Sequence, residues 1–362
     1  MVSLGPRIGA GTVAALGLAI ALLPGACVGV SAPHDAPLPS STPIAAITFD
    51  ALFVVNGGDN SLSVINTETN EVTGTIVLSG VSFPHHVYLS ADRARLLVAV
   101  PGIDLSQSHA TAHGGGAEGG AGGAVLLLDA TTGATVVSRR LPASNHNAVV
   151  APIGGEVWTA QLGSPGSVDL LDPTTLESKQ SITVGIQPSE VTFTSDGKRA
   201  FVANTGSSSV TVVDALARRV VATIPVGADP VGAWQGNNGI AYVDNEVDGT
   251  VSALDTSTLK VLFVYQLGFV PGVVALAPDG TVWVANPYGS KVSVRAGRED
   301  KELGTIAAGQ GAHAIAFTGR GDTAYVTNQW ENTVSVVDVR SRRTVKTIAV
   351  GGKPNGLAWR AK

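Results

Sequence analysis

With 362 residues, a formal net charge of -5 and only 14% charged side chains, the chain is long enough for one large domain with a substantial core, and it offers no basic patch for nucleic acid. Its single cysteine, Cys27, excludes an intrachain disulfide, so packing alone must hold the fold. The 44 glycines, set among abundant Val, Ala and Thr, suit many short strands joined by tight turns.

In chain order, Arg7 is followed by an uncharged, mostly apolar run from Ile8 to Val30, the pattern of an export signal with a short basic region and an apolar core. Cys27 falls just past that core, where a bacterial lipoprotein is cleaved and acylated. Gly25 and Ala26 before it are small, as that cleavage requires, whereas Pro24 stands where a lipobox usually has leucine. We therefore expect residues 1–27 to be a lipoprotein-type export signal with Cys27 lipidated. The alternatives are an ordinary signal peptide cut near Ala26 and an uncleaved anchor, since the run is nearly long enough to span a bilayer. All three place the domain outside the cytoplasm, as a periplasmic or surface lipoprotein of the cell envelope or as a secreted protein. Residues 28–45, rich in Pro and Ser, read as a tether.

From residue 46 one pattern recurs. It ends LFVVN at Asn56, LLVAV at Val100, VWTAQ at Gln161, AFVAN at Asn204, AYVDN at Asn245, VWVAN at Asn286 and AYVTN at Asn328, seven copies in all. Around each, alternation marks short strands: in the last copy Tyr325 and Val326, then Val334, Val336 and Val337 beyond a polar turn, then Val345, Ile348 and Val350. A period of about 40 to 45 residues with four strands in each is the signature of a β-propeller. One unit alone would expose an apolar sheet face, and stacking around a closed ring buries it. The expectation is an all-β, seven-bladed β-propeller of four-stranded blades over residues 46–362. The wording AYVTN, TVSVVD and IAVGGKP in 324–356, and AFVANTGSSSVTVVDALARRVVATIPVGADP in 200–230, resembles the YVTN β-propeller repeat family of exported bacterial propellers. That resemblance covers essentially everything after residue 50 and implies the fold. It implies no activity, because propellers of this family are functionally diverse.

Within a copy, Asp129, Asp172, Asp214, Asp255 and Asp338, with Asn66 and Arg295 as departures, end the third strand and read as turn-closing residues rather than an acid cluster. Asn56, Asn204, Asn245, Asn286 and Asn328 cap the turn after the second strand. The first copy enters at its second strand, Ala51 to Asn56, while Gly356 to Trp359 form a surplus innermost strand. The C-terminus should therefore complete the first blade and remove the exposed edges.

Val100 to Gln161 spans about 61 residues against about 41 to 44 elsewhere, so the second blade carries an insertion over 100–124 between its second and third strands. It holds Asp104, His109 and His113 and a glycine run through Gly123. Alternating strand direction sets this insertion on the face where every innermost strand begins. Aligning the residue after the Gly-x-x-Pro connection gives His85, His146, Ser189, Val231, Gly272, His313 and Asn355, and the three histidines fall on one arc of the ring. Imidazoles converging from rigid strands, with a flexible arm bringing more, are what a zinc or copper site at one channel mouth requires. The candidate ligands are His85, His146 and His313, with His109, His113, Asp104 and His86, although alternation along a strand aims His86 away. The opposing reading is that a lone histidine at a channel mouth usually just faces water and that a His-x3-His pair in a glycine loop is disordered. Positional equivalence argues for the site.

Other signals are thinner. Glu190, Asp229, Asp244, Glu246 and Asp248 show no pairing suited to acid–base work, Ser189 has no arranged base, and the glycines at 114–123 lack the Lys of a phosphate loop. Of the tryptophans, Trp330 is the one expected to be exposed at the mouth. Three functions fit: an exported binding or scaffold protein holding Zn or Cu, a propeller enzyme (a lactonase-like hydrolase or a metal-dependent oxidoreductase), or a metal-free surface interaction module. No catalytic residue is assigned. The partners expected are a metal ion or an envelope protein, with membrane contact only through the N-terminal segment and a monomeric state.

Overall fold

The computed structural model describes residues 37–106, 122–236 and 238–362, so the export signal, Cys27, most of the inserted arm and the histidines His109 and His113 lie outside the described residues. The described chain forms seven antiparallel sheets, six of four strands and one of five, a seven-bladed β-propeller. Blade two, for example, runs His86–Leu89, Arg95–Val100, Ala124–Asp129 and Thr135–Arg140 from the channel outward. The innermost strands of blades three to seven are Ala148–Val150, Pro188–Phe193, Pro230–Gly236, Val274–Leu276 and Ala312–Phe317. Among the described residues no helix is long and apolar enough to cross a membrane.

The second strand of each blade explains the stacking. Its residues are buried on both faces, so alternation assigns them to opposite neighbours rather than to core and solvent. In Ala51–Asn56, Phe53 and Val55 pack against blade two, whereas Leu52 and Val54 pack against blade seven. In Arg95–Val100, Leu96 and Val98 return to blade one while Leu97 and Ala99 meet blade three. The same division repeats around the ring and produces an apolar cluster at each blade boundary. Each large aliphatic or aromatic side chain so buried contributes roughly 1.5–3 kcal/mol by transfer from water.

The repeated polar residues do structural work at the rim. Asp255 Oδ1 accepts from the N–H groups of Ser257 and Thr258 at 2.8 and 2.7 Å, and Asp129, Asp172, Asp214 and Asp338 close their turns in the same way. Arg295, which breaks the pattern, pairs instead with Asp300 and Glu302. The buried asparagines reach across their blades: Asn204 Nδ2 donates to Thr211 Oγ1 at 2.9 Å, and its Oδ1 accepts from Gly185 N–H at 3.0 Å. Gly185 must be glycine for this approach, since a Cβ there would sit 2.5 Å from the Asn204 amide carbon.

Pro354–Arg360 pairs with Ala51–Asn56 as the innermost strand of blade one, the clasp expected from the surplus C-terminal strand. Arg360 secures it by donating to the Ala130 and Ile47 carbonyls, and Lys362 N–H reaches Asp50 at 2.8 Å. The tether read over 28–45 departs from its composition at one point: Ser40–Thr42 adds a fifth strand to the outer edge of blade one, against Val77 to Ser79. An outermost strand presents unpaired backbone groups, and even a Ser-rich segment fills them once Ser41 Oγ bonds to Gly133 O at 2.6 Å and Ser138 Oγ to Pro39 O at 2.5 Å.

Candidate functional site

Innermost strands enter the channel through a shared irregularity. His85 N–H donates to Ala99 O at 2.9 Å while His86 is paired with the same Ala99, so two residues oppose one. The register slips equivalently between Pro188 and Val191, Pro230 and Ala233, and Ala312 and Ile315. Such a bulge suspends alternation and re-aims side chains. That is why His86, which alternation aimed away from His85, instead lies beside it.

The result is a compact imidazole cluster. Ring centroids lie 4.5 Å apart for His85 and His86, 4.6 Å for His85 and His146, and 4.9 Å for His86 and His146. One ring nitrogen of each falls within 4.8 Å of the others, and all three residues are at most 3% exposed. Donor nitrogens around tetrahedral zinc sit roughly 3.3 Å apart, so small ring movements would close the set on an ion. His313, from blade seven, stands off at 6.0 Å from His85. Close approach of blade one holds the cluster in place: Gly356 N–H donates to His85 O at 2.8 Å, and a Cβ on Gly356 would lie 2.8 Å from His86 Nδ1. Asn355 Nδ2 lies 2.6 Å from His85 Nδ1, and Glu190 lies 3.8 Å from His146 Nδ1.

Asp104 belongs elsewhere. Its carboxylate is bound by the Lys353 ammonium and by Ser106 Oγ at 2.7 Å, and the desolvation this costs is outweighed, so its pKa lies below the ordinary value. Trp330 Nε1 donates to Ser106 O at 3.3 Å and its ring meets Tyr288 edge-on, 5.1 Å between centroids. The root of the inserted arm is thus fastened across the mouth, and the cavity beneath it, lined by Leu105, Ser106, Glu246, His313 and Trp330, measures only about 30 Å³. Ser189 Oγ donates to the Val231 carbonyl, a structural bond between blades.

Blades four and five bring acids to the same channel. Glu190 is 1% exposed and accepts from Tyr88 Oη at 2.5 Å and Asn147 Nδ2 at 3.0 Å. Burial pushes its pKa well above the carboxylate range, with the Asp244 charge adding to the rise and these hydrogen bonds opposing it. Asp244 accepts from Trp234 Nε1 at 2.6 Å, and burial together with the neighbouring Glu246 charge pushes it up to about 7. Spacing along the chain paired none of these acids, yet a column did mark one. Asp244 occupies the position filled by Val55, Ala99, Ala160, Ala203, Ala285 and Thr327 in the other blades. Glu190 likewise follows Ser189 as His86 follows His85.

On the other side of the histidines the channel widens into a chamber of about 260 Å³ lined by His86, Tyr88, Trp234, Leu276, Ile315 and Leu357, among others.

No protein-family model matches the sequence, and no curated protein is similar to it. Solved structures are similar in fold. A functionally unknown protein from Desulfotomaculum acetoxidans shares 14% identity with a TM-score of 0.70, over 86% of this chain and 99% of that one. The periplasmic gluconolactonase PpgL of Pseudomonas aeruginosa shares 17% with a TM-score of 0.69, again over 86% and 99%. The dihydro-heme d1 dehydrogenase NirN shares 14% with a TM-score of 0.63, over 88% of this chain and 79% of that one. These likenesses define the class, a seven-bladed β-propeller with lactonase-like neighbours.

Proposed function

We propose that the protein is an exported β-propeller that holds one transition-metal ion, zinc or copper, on His85, His86 and His146 inside its channel. The observation that carries this reading is the convergence of three buried imidazoles from two blades with ligating nitrogens within 4.8 Å. Burying three polar rings side by side costs desolvation, and a shared cation offsets that cost. Asn355, at hydrogen-bond distance behind His85, is placed as an outer partner of a metal-binding imidazole, and the Glu190 carboxylate lies 3.8 Å from His146 Nδ1, near enough to favour a positive charge there. His313 is the reserve ligand, and the set is complete without His109, His113 or Asp104.

Elemental analysis of the purified full chain tests it. About one equivalent of zinc or copper is expected, falling below a tenth in the His85→Ala, His86→Ala, His146→Ala triple variant and largely retained in His313→Ala. A full equivalent in a folded triple variant would sink the ligand set.

A second reading, an enzyme, is supported by one observation. Three imidazoles leave a coordination position open, and the chamber reaches His86. A metal there would supply Lewis-acid chemistry. The neighbours' names set the assays: lactone hydrolysis and oxidation by the metal-loaded protein, with turnover in either favouring the enzyme over the binding protein. Export and lipidation of Cys27 rest on the N-terminal pattern. Membrane association that Cys27→Ser abolishes is the outcome expected.

A further inference from the structure

We infer that the mouth face of the ring lies against the surface of a lipid bilayer, with an arc of exposed apolar side chains turned toward it. The inference rests on the lipidation reading for the natural anchor, and its subject is which face that anchor presents.

The described chain leaves the ring at the mouth. Ser40 pairs with Ser79 at the end of the fourth strand of blade one, just before the connection to the next innermost strand, so the residues preceding Ser40 stand on that face. They are fixed there. Ser138 Oγ donates to Pro39 O at 2.5 Å, and Arg140 donates to Pro37 O at 2.8 Å and to Gly80 O at 3.2 Å. Cys27 precedes Pro37 by ten positions, a length that spans at most about 35 Å even when fully extended. Turning the opposite face to the bilayer would carry this segment back along a whole strand, about 20 Å, and use up most of its reach.

The loops of the two faces differ in the same sense. Ile186, Val247, Tyr288 and Trp330, on the mouth-side loops of blades four to seven in succession, are between 38% and 65% exposed, and Leu38 adds to the same face beside the tether. Tyr288 and Trp330 are in ring contact. Among the described residues, Lys353 is the one Lys or Arg in the mouth-side loops, and it is paired with Asp104. The turns of the opposite face carry Arg93, Lys198, Arg218, Arg298, Arg320 and Arg342, among others. Tyr, Trp and aliphatic side chains suit the boundary between headgroups and acyl chains. A face without a row of cations lacks what attracts anionic headgroups, and Glu331, exposed beside Trp330, would be repelled by them. The surface that fits is therefore a zwitterionic one. These few side chains would not hold a free protein on a membrane, but in an anchored chain the contact is intramolecular, and weak apolar contacts suffice.

Depth-dependent quenching tests the orientation. The full chain, anchored at Cys27 in phosphatidylcholine vesicles whose acyl chains carry bromine, is compared as Tyr288→Trp, on the mouth face, and Leu216→Trp, on the opposite face at a position 75% exposed. The indole added at 288 is expected to lose at least three-fold more emission than the one added at 216, and the Val247→Glu substitution should reduce that difference. Val247→Trp repeats the measurement should Tyr288→Trp not fold. Equal quenching on the two faces, or stronger quenching at 216, would overturn the inference. So would quenching at 288 that appears only when anionic lipid is added, or a blue shift at 288 that grows with protein concentration without quenching, which would assign the face to a second copy of the chain. Should Cys27 prove unlipidated, coupling its thiol to a maleimide-bearing lipid supplies the same anchor, so the lipidation reading can fail while the orientation is still read. A lipidated protein quenched equally on both faces sinks the orientation alone.

Discussion

The rim and the channel of this ring use the same chemical group to opposite ends. At the rim, the Lys179 ammonium and turn N–H groups hold Asp172 down to about 2, and the Ser257 hydroxyl and Thr258 N–H do the same for Asp255. In the channel, burial and the Glu246 charge push Asp244 up to about 7. The rim acids recur in blade after blade and are satisfied by their own turns. The channel acids occur once each and take their hydrogen bonds from side chains of other positions, Tyr88 and Asn147 for Glu190 and Trp234 for Asp244. Recurrence thus marks what builds a blade, and departure from recurrence marks what the assembled ring does.

The largest effect expected from this contrast is on pH-dependent stability. Asp244 has a folded pKa raised above its ordinary 3.8, so its contribution is complete below about pH 4 and is lost as pH rises through about 7. EDTA-treated protein should therefore unfold at lower urea concentration at pH 8 than at pH 5. Asp244→Asn keeps an acceptor for Trp234 N–H while removing the charge that faces Glu246 and Glu190. At about 1.4 kcal/mol per pKa unit, the variant should gain up to roughly 4 kcal/mol at pH 8 and show a flatter profile. Identical slopes in both proteins would erase the distinction between channel and rim.

Next in size is the link between an acid and an imidazole. Glu190→Gln keeps an oxygen for Tyr88 and Asn147 but removes the carboxylate beside His146 Nδ1. Removing such an outer partner typically weakens metal affinity about 10- to 100-fold. Competition against a chromophoric chelator should show that loss with the binding capacity unchanged at one equivalent. Asp172→Asn at the rim should leave the affinity where it was. A matching drop in the rim variant would mean that Glu190 acts through stability alone.

The sequence carried the ring almost whole, because alternation and repeat length are local quantities. The seven second strands, the C-terminal clasp and the turn-closing aspartates were all legible from them. Ser40–Thr42 was not, since its strand conformation comes from a sheet edge far away in the chain. At the site, the shared position of His85 and His146 was legible because circular symmetry converts register into proximity. His86 was misjudged in its direction, for a bulge is a tertiary adjustment that breaks the period from which direction is inferred. Glu190 and Asp244 lay beyond spacing arguments, as they come from neighbouring blades and are far apart in sequence. Asp104 shows the converse: it lies in the inserted loop as expected, yet Lys353, remote in sequence, claims its charge.

The smallest effect belongs to the rim itself. Asp255 has a folded pKa depressed to about 2 by the Ser257 hydroxyl and turn N–H groups, so its contribution is present above about pH 4 and lost as pH falls through about 2. The carboxylate is exposed, solvent screens it, and Asn retains the Oδ1 that accepts from Ser257 and Thr258. Asp255→Asn should then cost only about 0.5 kcal/mol at pH 7, a fall of roughly 1–2 °C in Tm by calorimetry for a domain of this size. The two proteins should converge near pH 2. A loss of several kcal/mol would mean that this turn supports more than its own blade, and that rim acids, like those of the channel, are coupled to the ring as a whole.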